Sequence, residues 1–166
     1  MGEEESCVQE ENCWMCSQGE TFEGIALVAK SASLDLALIR LEGNPGDKYG
    51  WLELDNRIPP SGTPVFIPQH PGGRAKEIAL KDTSSDGAEC EILEAAETSC
   101  SSSAFGDLRY KCDTEGGASG SPVIARDTNK VIALHHCGGG CRGNKGVPAH
   151  VSVSYTHLTL PTTPYV

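Results

Sequence analysis

Asp113-Thr-Glu-Gly-Gly-Ala-Ser119-Gly-Ser-Pro-Val123 is the stretch on which the reading of this chain turns. Glycines at 116, 117 and 120 let the backbone take positive φ and aim amide N–H groups at one point. The apolar run Pro122–Ala125 follows at once and reads as a strand, so Ser119 lies in a sharp loop with its hydroxyl exposed. Gly117 N–H and Ser119 N–H are then candidate oxyanion donors, and losing one such donor typically costs about 10²–10³ in rate. An ordinary Gly/Ser hairpin loop has the same local pattern, so the rest of the chain must decide.

Outward from that loop, short apolar runs recur about every ten residues, bounded by Gly, Pro, Asp or Ser. Expected strands are 24–29, 34–41, 51–54, 64–68, 76–81, 89–93, 108–112, 122–125, 131–135 and 147–151. Several alternate, as in Lys76-Glu-Ile-Ala-Leu80, which suits a sheet with one buried face. Helical periodicity is scarce, so the pattern predicts an all-β barrel or sandwich. Arg57-Ile-Pro-Pro-Ser-Gly62 stops any strand and is the best internal boundary. Thr98–Ser103, with four serines and Cys100, reads as an exposed loop.

Composition narrows the field. The chain has 166 residues and a formal charge of −10, from 13 basic and 23 acidic side chains. A basic nucleic-acid footprint is absent, and no apolar run approaches the roughly 18 residues of a membrane span. Neither nucleic acid nor membrane is an expected partner. Eight cysteines favour disulfides in an oxidising compartment, hence a secreted protein. The acidic start, Met-Gly-Glu-Glu-Glu, is unlike a signal peptide, and one resolution is that Met1 is not the true start.

A second element is Leu34-Asp35-Leu-Ala-Leu-Ile-Arg-Leu41. An aspartate at the mouth of an apolar strand is expensive to bury unpaired and should have a partner. A histidine held by it would have its tautomer fixed and its imidazolium stabilised. A strand-capping aspartate in a solvated turn is the plainer reading of the same residue. Together with Gly117-Ala-Ser119-Gly-Ser-Pro-Val123, Val131-Ile-Ala-Leu-His-His-Cys-Gly138 and Pro64-Val-Phe-Ile-Pro-Gln-His-Pro-Gly72, this segment resembles the trypsin-like serine proteases. The likeness is to the bacterial-type branch that includes glutamyl and lysyl endopeptidases, and it covers roughly residues 22 to 151. It implies two perpendicular six-stranded β-barrels with the active site between them, Ser119 as nucleophile and Asp35 as the residue orienting the base. The Gly-x-Ser-x-Gly elbow of the α/β-hydrolases is not matched, because position 121 is Ser.

The same resemblance exposes a gap. In that family the general-base histidine precedes the aspartate, yet no histidine occurs before His70. The expected organisation is therefore an incomplete first barrel over 1–56, the second barrel with the nucleophile loop over 57–151, and a tail over 152–166. That tail reads as translated adapter sequence, non-native and too rich in Pro and Thr for a closing helix. A serine without its histidine is a poor nucleophile, with losses on the order of 10⁶ in the best-studied case. The expectation is a serine endopeptidase fragment, inactive as given, monomeric, acting on protein or peptide. An incomplete barrel also leaves apolar surface wet. A non-catalytic protease homologue that binds rather than cleaves, or a disulfide-rich extracellular interaction domain, are the alternatives.

Two residues compete to read the substrate side chain. Asp113 lies six positions before Ser119, where the resemblance implies a carboxylate for basic side chains. His135 matches the histidine that glutamyl endopeptidases use for acidic ones. A surface aspartate beside Cys112 and a satisfied strand-edge histidine are the plain readings. Ala118 cannot form the activating ion pair that digestive relatives make from that position. Eight half-cystines allow about 105 pairings, so none is fixed. Cys90–Cys100 could close a hairpin, and the resemblance suggests Cys112 with Cys137 or Cys141. Cys7, Cys13 and Cys16 fall in the incomplete barrel. Cys13-Trp-Met-Cys16 is a C-x-x-C knuckle, and His135, His136, Cys137 and Cys141 are candidate metal ligands. No second knuckle stands at zinc-ribbon spacing, so neither metal nor cofactor is expected.

Overall fold

A computed structural model describes residues 20–82, 87–101, 106–138 and 143–159. Nine strands and two helices follow in chain order: β1 Gly24–Ser31, β2 Leu36–Leu41, α1 Pro45–Tyr49, β3 Val65–Gln69, β4 Glu77–Ala79, β5 Ile92–Thr98, β6 Gly106–Tyr110, β7 Pro122–Ala125, β8 Val131–Gly138, β9 Asn144–Pro148 and α2 Ala149–Thr159. The expected runs at 24–29, 34–41, 64–68, 76–81, 108–112, 122–125 and 131–135 all carry strands. The run at 51–54 forms only a bridge, Leu54 beside Val131. Residues 89–93 mostly form bridges leading into β5, whose register slips twice against β6.

The strands form two sheets, β1–β2 alone and a seven-stranded sheet in the order β4-β3-β7-β8-β9-β6-β5. Every named pairing is antiparallel. Bridges Lys81–Glu89 and Pro64–Glu91, with Val65 N–H donating to Cys90 O at 2.8 Å, bring the two ends of the larger sheet together. Its core is what the β-branched alternation supplies: Val65 and Ile67 from β3, Ile92 from β5, Leu108 and Tyr110 from β6, Val123 and Ile132 from β7 and β8. Burying a side chain of this kind contributes roughly 1.5–3 kcal/mol. The arrangement is all-β, as expected, with a seven-stranded sheet where the resemblance implied a six-stranded second barrel, and with a two-stranded ribbon from the first.

The cysteine pairing differs from expectation. Cys90 bonds Cys112, joining the approach to β5 with the end of β6, and Cys100 bonds Cys137. Cys90 is fully buried in the core, which puts it out of reach of Cys100 beyond the far end of β5. Cys112 is thereby taken, so Cys137 pairs elsewhere. Cys7, Cys13, Cys16 and Cys141 lie outside the described residues.

The C-terminus differs too. Residues 149–159 form α2, packed on β8 and β9, where the Pro and Thr content had argued against a helix. Both prolines of the tail, Pro161 and Pro164, come after the helix, and its Val, Ser and Thr cost only tenths of a kcal/mol each. Ser154 Oγ donates to His150 O at 2.8 Å, and Tyr155 OH donates to Lys30 O at 2.7 Å.

Candidate active site

The hairpin β1–β2 meets the rest of the protein at its turn. Leu34 is buried there, Ser101 Oγ donates to Ser33 O at 3.2 Å, and Tyr155 reaches Lys30. Asp35 stands in this turn with φ 48°, a left-handed conformation that aspartate tolerates better than most residues. Its side chain is 64% exposed, and its carboxylate Oδ2 lies 3.5 Å from His136 Nδ1. The partner that the sequence demanded for Asp35 is therefore His136, and the solvated-turn reading holds as well.

His136 owes its aim to a bulge. Between His135 and Cys137, β8 advances two residues while β9 advances one, from Gly146 to Lys145. Such a bulge re-aims side chains locally. His135 points to the core, with Nδ1 2.7 Å from the Tyr110 hydroxyl. His136 points to Asp107, with Nε2 2.9 Å from Oδ2. Cys100 N–H also donates to that oxygen at 3.0 Å. Burial pushes the Asp107 carboxyl up, and the hydrogen bonds from His136, Cys100 N–H and Ser99 more than offset it, leaving it lowered. The hydrogen bond to Asp107 holds His136 above the usual imidazole range against the cost of burial, with Asp35 adding a smaller pull. Both ring nitrogens face carboxylates, so neither is offered to a serine.

His135 is a different histidine. Burial, and then the neighbouring charge of His136, push it down to about 4. Burial also raises the Tyr110 phenol, so it keeps its proton and shares a hydrogen bond with Nδ1. His135 is then neutral at pH 7.

The loop that carries Ser119 is built as its glycines suggested. Gly117 has φ +100°, and a Cβ there would sit 2.9 Å from His70 O, so only glycine fits. Gly72 N–H donates to Gly116 O at 2.7 Å, and the Arg74 guanidinium holds both carboxylate oxygens of Glu115, at 3.0 and 3.2 Å. Ala118 is fully buried and its N–H donates to Glu115 O. Gly120 N–H donates to His135 O at 2.7 Å, and His135 N–H to Ser121 O at 2.9 Å. Ser119 itself is exposed. Among the described residues no hydrogen bond uses the N–H of Gly117 or Ser119, or the Ser119 hydroxyl.

Gly120 and Ser121, next to Ser119 in the chain, and Asp35 thus contact consecutive residues of β8. The loop hangs on the His135 backbone while the Asp35 carboxylate faces the His136 side chain. Asp113 is exposed; its carbonyl accepts from Gln69 Nε2 at 2.8 Å. His70 Nδ1 contacts Arg74 O at 3.0 Å, within its own turn. A cavity of about 290 Å³ opens along the linker between Asp55, Arg57 and Ile132, and none of these loop residues lines it. Sequence reasoning missed Asp107. It lies one residue before the strand expected at 108–112 and in step with Arg109 and Lys111, so the alternation reads it as solvent-facing and carries no signal of its burial.

Residues 4–134 match the family described as the trypsin-like peptidase domain. The chain belongs to that family. It is 39% identical over 113 residues to the secreted RxLR effector protein 73 of Plasmopara viticola, and spans about a quarter (27%) of that protein's length. Among solved structures it is similar to the active form of the Rv3671c protease from M. tuberculosis, with TM-score 0.62 and 18% identity over 87% of this chain and 61% of that one. It is also similar to the HtrA-type protease AlgW with a decapeptide, with TM-score 0.61 and 12% identity over 80% of this chain and 39% of that one. These two likenesses carry the fold. No described helix is long and apolar enough to cross a membrane.

Proposed function

We propose that this chain carries the nucleophile and the orienting carboxylate of a secreted serine endopeptidase. Ser119 attacks the scissile carbonyl, the N–H groups of Gly117 and Ser119 hold the oxyanion, and Asp35 orients the base. That base is a histidine outside these 166 residues, because none of His70, His135 and His136 is placed for the task. His135 is tied to Tyr110, His136 to two carboxylates and His70 to its own turn, while His150 and His157 lie on α2. The support that weighs most is the alternation along the loop. The 118 and 120 amides are spent on carbonyls, whereas those at 117 and 119 are left for a ligand, beside an exposed hydroxyl.

Of the two specificity residues, Asp113 offers an exposed carboxylate to a basic side chain, whereas His135 has only Nε2 left to offer. A basic preference follows, in keeping with the chain's charge of −10. The experiment is fluorophosphonate labelling of a longer chain extended upstream of Met1, set beside its Ser119→Ala variant. Labelling that vanishes in the variant is the expected result, with arginyl or lysyl esters cleaved faster than glutamyl ones. The 166-residue chain alone should stay unlabelled. A second reading, a protease homologue that binds without cleaving, is favoured by the Plasmopara relative, which is named as an effector. An extended chain that binds peptide yet never labels would establish it.

A further inference from the structure

We propose that Cys100, Asp107, His136 and Cys137 form a zinc site that replaces the Cys100–Cys137 disulfide when the protein is reduced. One ligand atom from each of the four lies within 4.8 Å of all the others. Two thiolates, an imidazole and a carboxylate are a donor set suited to four-coordinate Zn²⁺. The β8 bulge is what makes consecutive residues His136 and Cys137 available to one centre. Two strands of the sheet and a loop thus converge: Cys100 from beyond β5, Asp107 from β6, and the pair from β8.

A second feature points the same way. Metal-bound histidines usually donate their other ring N–H to a carboxylate, which fixes ring orientation and raises basicity. His136 is placed for that arrangement: Nε2, 2.9 Å from the co-ligand oxygen Asp107 Oδ2, would turn to the metal, and Nδ1 lies 3.5 Å from the outer carboxylate, Asp35 Oδ2. Asp107 and His136 side chains are 2% and 4% exposed, so these two ligands are shielded from water, while Cys100 leaves the site open to an entering metal. His135 is no part of the set, since it faces the core and Tyr110.

The exchange balances simply. Two electrons and two protons from a dithiol reductant open the disulfide to two thiols, and the reductant closes to its own disulfide. Zn²⁺ then expels the two thiol protons as it binds, and the second ring proton of His136 where that imidazole is charged, so uptake strengthens as pH rises. A protein passing from an oxidising to a reducing compartment would trade one cross-link for the other at the same place. The inference does not depend on Ser119 being a nucleophile.

The test uses the full chain with Cys7, Cys13, Cys16 and Cys141 replaced by serine, so that the Cys13–Cys16 knuckle contributes nothing. After mild dithiol treatment that leaves the buried Cys90–Cys112 bond intact, Co²⁺ should bind at one equivalent. Thiolate-to-cobalt charge-transfer bands and tetrahedral d–d bands should appear and be displaced by Zn²⁺. Cys137→Ser should abolish the charge-transfer band or shift it to one-thiolate intensity. His136→Gln and Asp107→Asn should each weaken binding at least about tenfold, with far-UV circular dichroism confirming that each variant is folded. The unreduced chain should show no thiolate band. No thiolate–cobalt band after reduction, or an unchanged band in folded Cys137→Ser, would overturn the proposal.

Discussion

The two sheets of this molecule are made from similar residues and live in opposite conditions. The β1–β2 ribbon carries Ile25, Leu27 and Ile39 at 56%, 56% and 53% exposure, whereas Val65, Ile67 and Ile92 of the larger sheet are wholly buried. Apolar, β-branched sequence makes a strand in both cases, but only a partner layer makes a core. An isolated two-stranded ribbon is marginal at best in water. Here its turn end is pinned by Leu34, Ser33 and Lys30, and that end carries Asp35. The ribbon serves the site through its turn, and the sheet serves it through its rigidity.

The largest expected effect tests that contrast directly. Ile67→Ala should lower the urea midpoint by the equivalent of about 2–5 kcal/mol, as core deletions do. Ile39→Ala, on the ribbon, should stay within about 0.5 kcal/mol. Equal losses would mean that the ribbon's apolar face is covered in solution. The next effect concerns cross-linking. Replacing Cys90 and Cys112 by serine removes a bridge of sequence separation 22 inside the core. The loss should be about 3 kcal/mol by loop-closure entropy, read from the same denaturation curves. A loss under 1 kcal/mol would show that the sheet's curl is maintained without it.

How much of this was legible follows from the same contrast. Strands with β-branched alternation, such as β3 and β7, announce themselves, because the period of two depends only on local pleat. The loop that carries Ser119 was legible because glycine at positive φ leaves a sequence trace, and the φ of Gly117 and Gly120 bears it out. The cysteine pairing and the Asp107–His136–Asp35 row were not, because each joins segments far apart in the chain. His136 and Cys137 share a side only through a bulge, which nothing in Leu134-His-His-Cys137 declares. Helix α2 was missed because prolines beyond its end were weighed as though they lay inside it.

A smaller effect comes from the buried hydroxyl of Tyr110. It is fully buried and shares a hydrogen bond with His135 Nδ1 at 2.7 Å. Tyr110→Phe keeps the ring's packing and strands a buried partner, which costs about 1–2 kcal/mol. The double variant Tyr110→Phe, His135→Leu should regain part of it, since removing both partners lifts the unsatisfied-group penalty. Failure of any recovery in that cycle would mean that packing around the ring, rather than the hydrogen bond, sets the cost.

The smallest expected effect lies in the stretch between the two regions. Asp55 N–H donates to Val131 O at 2.8 Å, so residues 53–55 run along the start of β8. The Asp55 carboxylate is gripped by Arg57 through Nε at 3.0 Å and Nη2 at 2.8 Å. Those hydrogen bonds outweigh burial and lower its pKa to about 2. An aspartate lowered in the folded state binds fewer protons there than in the unfolded chain. Its contribution is therefore complete above pH 4 and fades as pH falls from about 4 towards 2. Because the Arg57 side chain is 70% exposed, water and salt screen the pair, and the whole contribution is held to about 1 kcal/mol or less. Asp55→Asn should flatten that portion of the stability–pH curve while leaving the curve above pH 5 nearly parallel. An unchanged slope between pH 4 and 2 would place the acid sensitivity of the molecule elsewhere. Any loosening that does begin at Asp55 should free the ribbon side before the sheet, because the carboxylate ties the linker and not the core.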